Sequence, residues 1–419
     1  DAQSIYAFRG ATIDNILDFG KDFANLQTFK LEQNYRSGKF IVNAANNVIT
    51  NNLKQIKKEI WTSQPDSSKI GMVRALSDAE ESRKVVDAIF EHKNRNHIPN
   101  AEIAILYRTN AQSRGFEEQL RRANIPYKIY GGMSFYQRKE IKDLIAYFRL
   151  VVNPKDEEGF RRIVNFPKRG VGDTSIDRLF AYASENEKTF WDAIDDNILP
   201  AKAQSTISEF KKMIVALNHY SEQHPADQTA NMIFQKSGLA IALKADNTIE
   251  GMGRLENVNS LLDGIKEFVE NDEELLDEDG EVILERGTSM VDYLQSISLI
   301  TDFDQKEDSN DHVNLMSVHS AKGLEFDSVF VVGLEEQLFP SFLSLKSEAE
   351  IDEERRLFYV AITRARKMLT LTYATSRYQY GKVVYNSPSR FLDEVGEENL
   401  SSPLHKAKNL MNESAPRAS

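Results

Sequence analysis

Cysteine is absent from all 419 residues, which excludes disulfides and thiolate metal sites and points to a reducing cytoplasm. The seven histidines are scattered, without the paired spacing that builds a zinc site, so no metal ligands are expected. No run approaches the roughly 18 uninterrupted apolar residues of a membrane helix, and no charged-then-apolar leader is seen, so no membrane partner is expected. Basic residues are outnumbered by acidic ones, 52 to 64, a balance that argues against a polyanionic partner until its distribution is read. The stretch EFVENDEELLDEDGEVILE (267–285) holds ten acidic residues and no basic one, most of the net charge of −12. It reads as a solvated flexible loop. Local patches, not overall charge, decide nucleic-acid binding.

What is present is ordinary in bulk, 41% hydrophobic and 28% charged, and long enough for two or three domains. MVRAL (72–76), EIAILYR (102–108) and YKIYGG (127–132) read as strands, with helical periodicity over 78–95 and 111–123 between them. EIKDLIAYFRLVVNP (140–154) puts Ile141, Leu144, Ile145 and Phe148 on one helical face. This strand–helix alternation predicts an α/β fold with a mostly parallel sheet. From about 168 to 311 helical patterns dominate. Strand-like runs then return at 312–318, 327–334 and 367–374. The economical reading is one α/β domain interrupted by a mostly helical insertion, with a loose tail at the end.

Several segments carry candidate chemistry. In HSAKGLE (319–325), His319 and Lys322 can donate to phosphate and Glu325 can accept from a hydroxyl such as a ribose. Gly323 allows close backbone approach. Ligands of parallel sheets collect beyond the carboxyl ends of strands, where this loop is expected, although the same residues also make a serviceable turn. In EERRLFYVAITRAR (353–366), Arg364 is singled out because a rigid guanidinium fork matches phosphate oxygens; Arg355, Arg356 and Arg366 read as surface arginines in weak ion pairs. LEQNYRS (31–37) places Tyr35 and Arg36 in a turn, suited to a purine face and a phosphate. KRGVGDTS (168–175) sets Gly170 and Gly172 before a helix, where free backbone N–H groups attract an anion. The opening DAQSIYAFRGA gathers Gln3, Tyr6, Phe8 and Arg9 in nine residues.

In this order, DAQSIYAFRGA, LEQNYRS, YKIYGGMSFYQRKEIKDLIAYFRL, RGVGDTS, VNLMSVHSAKGLEFDSVFVVGLEE and EERRLFYVAITRAR resemble successive segments of the UvrD/PcrA/Rep-type superfamily 1 DNA helicases, from residue 1 to about 395. The resemblance implies two RecA-like, P-loop NTPase-like lobes with ATP and Mg²⁺ between them and single-stranded DNA across their tops. Residues 1–29 would be a remnant of the first lobe, 30–167 and 312–398 the second lobe, 168–311 its helical insertion domain, and 399–419 a flexible tail. It further implies that Gln3 senses the γ-phosphate, with Arg9 linking that site to DNA-stacking Tyr6 and Phe8. Tyr35 would stack on adenine, Arg36 and Arg364 would meet the γ-phosphate, and Glu325 would hold the ribose. His319 and Lys322 would face DNA, and Gly170 and Gly172 the duplex at a single-strand/double-strand junction. Phe8 stands where most relatives have Trp.

One departure limits what the chain can do. No G-x-x-x-x-G-K-[ST] occurs in the sequence, so the phosphate-cradling loop and its Mg²⁺-binding hydroxyl are missing. The expectation is the C-terminal portion of an ATP-dependent 3′–5′ DNA helicase of repair or replication, with a missing N-terminal lobe, possible repair proteins as partners, and negligible ATPase activity of its own. The competing reading is a stand-alone DNA- or protein-binding module derived from a helicase.

Overall fold

A computed structural model describes residues 2–5, 15, 18–22, 26–64, 68–270, 275–276, 282–284, 287–301, 311–379 and 382–401. The chain divides into two compact units, one made of 1–133, 308–378 and 383–419, the other of 134–307 and 379–382.

The first unit is built on a six-stranded sheet. Its strands are β1 (Gly71–Ala75), β2 (Ile103–Tyr107), β3 (Tyr127–Tyr130), β4 (Val313–Ser317), β5 (Phe326–Val331) and β6 (Ala365–Ala374). They lie in the order β1-β6-β5-β2-β4-β3, and every pairing is parallel. The register sets Leu106 against Met316 and Val331. Every residue of β2 is buried, as expected where helices cover both faces of a parallel sheet. Alternation sorts the side chains: Ala104, Leu106, Val329, Val331 and Leu371 join one core, while Ile103, Ile105, Tyr107, Leu315 and Phe330 join the other.

Four helices close those faces. α1 (Lys39–Ile49) and α4 (Glu348–Ile362) cover the first core, with Ile41, Val48, Leu357 and Val360 turned inward. α2 (Asp78–Asn96) and α3 (Ser113–Arg122) cover the second with Val85, Ile89, Phe116 and Leu120. Ser77 starts α2 by accepting from the Glu80 N–H at 3.2 Å, and acidic Asp78, Glu80 and Glu81 follow in the first turn, which suits the positive end of the helix dipole.

The second unit is helical. It contains Lys139–Val152, Glu157–Ile163, Asp173–Glu185, Ala201–Ser221, Ala226–Lys236, Leu239–Lys244, Ile249–Glu270 and Met290–Thr301. Phe160 lies at its centre, 4.7 Å from the Phe190 ring and 5.9 Å from Phe210. The helix expected at 140–154 is present, but it packs here rather than on the sheet. Ile141, Leu144 and Phe148 are buried in this helical core, so the units divide after Met133 and not at 167. Periodicity shows that a helix has an apolar face; it does not show what covers it.

Other expectations change at the chain ends and in the acidic stretch. Residues 267–270 form the last turn of Ile249–Glu270; most of the acidic run lies outside the described residues. The expected tail from 399 begins with packed residues: Asn399 and Leu400 are buried, and Ile70 exchanges hydrogen bonds of 2.9 Å with Asn399 O and Ser401 N. At the other end, Ala2 and Ile5 enter the core that α1 and α4 cover.

Arg355 and Arg356 are not surface residues. Arg355 is buried and bonds Glu394 at 2.8 and 3.0 Å, Asp352 at 2.7 Å and Asn52 at 2.7 Å. Buried Arg356 donates to Ser4 O at 3.1 Å. Their helix periodicity was masked by charge: long aliphatic stems let arginine line a core when carboxylates meet the head. A second buried network closes the carboxyl ends of β5 and β6. Arg377 donates to Glu335 at 2.6 and 2.7 Å and also to Glu81. Glu81 accepts from the Thr372 hydroxyl at 2.5 Å and Gly333 N at 2.9 Å, and Glu335 from Ala374 N at 2.8 Å. Removing one member strands a buried charge. Arg377→Met is therefore expected to cost about 3–5 kcal/mol, read as a shift of the urea unfolding curve; an unshifted curve would refute the network's role.

Candidate functional site

The turn carrying Tyr35 and Arg36 is shaped by its own sequence. Asn34 Oδ1 accepts from Arg36 N at 2.8 Å and Ser37 N at 2.9 Å, the Asx turn that asparagine favours. The Ser37 hydroxyl donates to Ala365 O at 2.7 Å, and Gly38 N donates to Arg366 O at 3.2 Å. The turn is thus fastened to the first residues of β6. Tyr35 stands 70% exposed, its hydroxyl donating to Gln33 Oε1 at 2.7 Å, so its ring presents an open face.

Arg36 Nε bonds Glu325 Oε2 at 2.5 Å, and Nη1 bonds Thr363 O at 3.2 Å. Both members of the ion pair are part-exposed, 30% and 42% at the side chain, so the pair is worth about 0–1 kcal/mol and exchanges readily. The Arg36 guanidinium holds the Glu325 carboxyl below its ordinary range, with Arg366 acting in the same direction.

Arg364 lies beside this pair and is 1% exposed. Nε bonds Val360 O at 3.0 Å, Nη1 bonds Leu324 O at 3.0 Å, and Nη2 bonds the Thr363 hydroxyl at 3.1 Å. Burial, together with the charge of Arg36, brings its pKa down to about 10; it stays cationic at neutral pH. Arg366 completes the cluster. It bonds Asp327 at 2.7 Å, approaches Glu325 at 3.5 Å, and pairs with Glu102.

These groups gather at the amino ends of β2, β5 and β6, because Glu102, Glu325 and Arg364 each immediately precede a strand. The sequence reading placed HSAKGLE wholly beyond the carboxyl ends. Only its start is there: Val318 N bonds Tyr107 O at 2.9 Å. The segment then crosses the sheet face with Val318 and Ala321 buried, and Phe326 N bonds Arg364 O at 3.0 Å at the opposite edge. His319 and Lys322 are half-buried along this crossing and do not join the arginine cluster. Ser320 meets the turn after β3, where Gly131 has φ +72° and a Cβ would stand 2.4 Å from Ser320 Oγ.

Gln3 is exposed; the O atom of its neighbour Ser4 accepts from Arg356, which stands seven residues before Thr363 on α4. Tyr6, Phe8 and Arg9 lie outside the described residues. Gly170 and Gly172 are exposed in the helical unit, with open space where a Cβ would stand. The expected free N–H groups are partly taken: Asn165 Oδ1 accepts from Arg169, Gly170 and Val171 N at 2.9, 3.0 and 3.3 Å. Arg169 turns inward onto Tyr147 and Ser237 O and adds nothing to a basic surface.

Sequence reasoning missed Asn34, Thr363, Glu102 and Asp327. Asn34 had a local signal, an asparagine two residues before an arginine in a turn; the others meet Arg36 and Arg366 only through the fold. Among the described residues there is no group of three or more His, Cys, Asp or Glu that could hold a metal. No described helix is long and apolar enough to cross a membrane.

Comparison with known proteins fits this geometry. The UvrD-like helicase C-terminal domain family model matches residues 29–376. The ATP-dependent DNA helicase PcrA of Staphylococcus aureus (strain MRSA252) is 42% identical over 405 residues, 96% of this chain and 54% of that protein. PcrA of Staphylococcus epidermidis (strain ATCC 12228) is matched with the same identity and coverage. The chain spans about half the length of the curated relatives it matches. A solved C-terminal domain of a possible DNA helicase from Lactobacillus plantarum WCFS1 covers 87% of this chain and 96% of that one at 11% identity and a TM-score of 0.33, too loose a likeness to add weight. On the family match and the identity over nearly its whole length, the chain belongs to the UvrD-like helicase C-terminal domain family.

Proposed function

We propose that this chain is the C-terminal part of an ATP-dependent 3′–5′ DNA helicase acting in repair or replication, and that its arginine cluster is one wall of the ATP site. The observation that carries the reading is the meeting of Arg36, Glu325 and Arg364. Arg36 meets Glu325, 289 residues away, and Thr363, the neighbour of Arg364, 327 residues away, yet the three form one cationic corner beside an exposed tyrosine ring. Tyr35 offers a face to adenine, Glu325 accepts from a ribose hydroxyl, and Arg36 is held by a weak ion pair and one bond to Thr363 O, which a triphosphate can replace. Arg364, already desolvated and fixed by backbone oxygens, is preorganised to stabilise charge developing on a transferred phosphoryl group. Gln3 would face the same γ-phosphate once the first lobe is in place. His319 and Lys322, with Tyr6, Phe8 and Arg9, are assigned to single-stranded DNA, and Gly170 and Gly172 to the adjoining duplex. Stacking on aromatic rings supplies about 1–3 kcal/mol per base without reading sequence.

The missing phosphate-cradling loop makes activity conditional. Alone, the chain is expected to show no DNA-stimulated ATP turnover. Joined to a lobe carrying G-x-x-x-x-G-K-[ST], it should hydrolyse ATP in a DNA-dependent manner, and Arg364→Ala should lower that rate by about 10³-fold or more. Full turnover by the chain alone, or an indifferent Arg364, refutes the reading. Salt-sensitive duplex binding that gains nothing from the added lobe would favour a stand-alone binding module instead.

A pH prediction follows from the Arg36–Glu325 pair. Because the folded-state pKa of Glu325 is depressed, the pair's contribution is present above the unfolded-state pKa and is lost as pH falls through the folded value. In Arg36→Ala the Glu325 midpoint should move upward, followed by carboxyl-carbon NMR; an unmoved midpoint means the pair does not form in solution.

A further inference from the structure

We infer that Arg366 is a positioning residue of this site, a standby counter-ion that takes over Glu325 when Arg36 turns to phosphate. The inference rests on the nucleotide reading above and extends it to a residue that reading leaves without a role.

Glu325 has two oxygens and two arginine neighbours. Oε2 is held by Arg36 at 2.5 Å and Oε1 faces Arg366 at 3.5 Å. The first contact is a full hydrogen bond. The second is too long to be strong. Arg366 is nevertheless fixed in place by other groups. Its Nε bonds Asp327 on β5 at 2.7 Å, its Nη2 pairs with Glu102 ahead of β2, and its backbone oxygen accepts from Gly38 N at 3.2 Å. Lys367 adds a further cation on Asp327 at 2.8 Å. Arg366 therefore ties together three chain segments around Glu325 while keeping one guanidinium edge only loosely used.

Arg36 cannot serve a polyphosphate while it is committed to Glu325. Pulling it away leaves a bare carboxylate beside an arriving polyanion, and like charges at that distance repel. With Arg366 present, closing the 3.5 Å gap by less than an ångström re-pairs Glu325 at once. Without Arg366, Glu325 holds Arg36 back and competes with the ligand. An arginine suits this task because its planar fork can serve several carboxylates together, which a lysine cannot do.

The experiment is titration of inorganic tripolyphosphate into the 419-residue chain by calorimetry at low salt. Arg36→Ala should abolish binding. R366Q should weaken it about tenfold, the scale of one coupled network contact, and R366K should restore it only in part. E325Q should bind at least as tightly as wild type. The deciding variant is the double E325Q/R366Q, which should return to within about twofold of E325Q because the competing carboxylate is gone. Its recovery also shows that R366Q is folded. Binding by R366Q equal to wild type, or a double variant as weak as R366Q alone, overturns the proposal and leaves the nucleotide reading intact. Wild-type binding that ignores Arg36→Ala, or no binding at all, overturns both.

Discussion

The sheet of the first unit is buried on both faces, and that constraint decides where any chemistry can be. Strands such as β2, with every residue covered, have no room for unpaired polar groups, since an unsatisfied buried polar atom costs about 1–3 kcal/mol. Charged residues are therefore driven to the two edges where strands begin and end. The carboxyl edge holds the Glu81–Arg377–Glu335 network, closed and fully paired. The amino edge holds Arg36, Glu325 and Arg366, part-exposed and joined by exchangeable ion pairs, beside a buried Arg364. Similar residue types thus play opposite parts: the first set stabilises the sheet, and the second stays available for exchange.

Much of this was legible in the sequence. The six strands fall within two or three residues of the runs that predict them, the inner ones because a strand buried on both faces must be a continuous apolar block. α2 and α3 were equally plain from their periodicity. The helix at 139–152 was read correctly as a helix but assigned to the wrong neighbours; Ile141, Leu144 and Phe148 require a cover without naming it. Arg355 and Arg356 were misread for a related reason. A charged residue predicts solvent on average, and only the fold brings Asp352, Glu394, Asn52 and Ser4 to where these two can be buried.

The candidate site was legible as residue types and not as an arrangement. Tyr35, Arg36, Glu325 and Arg364 could each be picked out from local pattern, yet the general rule for parallel sheets sent Glu325 to the wrong edge. The reason is the short crossing from Val318 to Phe326, which enters at the ends of the strands and leaves at their beginnings. His319 and Glu325 are six residues apart and lie toward opposite edges of the sheet. Their separation lets one short segment serve both edges of the sheet.

The short stretch Asn399 to Ser401 bears on the outer edge of the sheet. β1 is an outermost strand, and outermost strands offer bare amides and carbonyls to any passing chain. By bracketing Ile70 from both sides, three residues that resemble the start of a dispensable tail seal the point where that strand begins. A version shortened to end before Asn399 would leave the Ile70 amide and carbonyl without these partners, and so lengthen the bare edge by a cut that removes no recognisable domain.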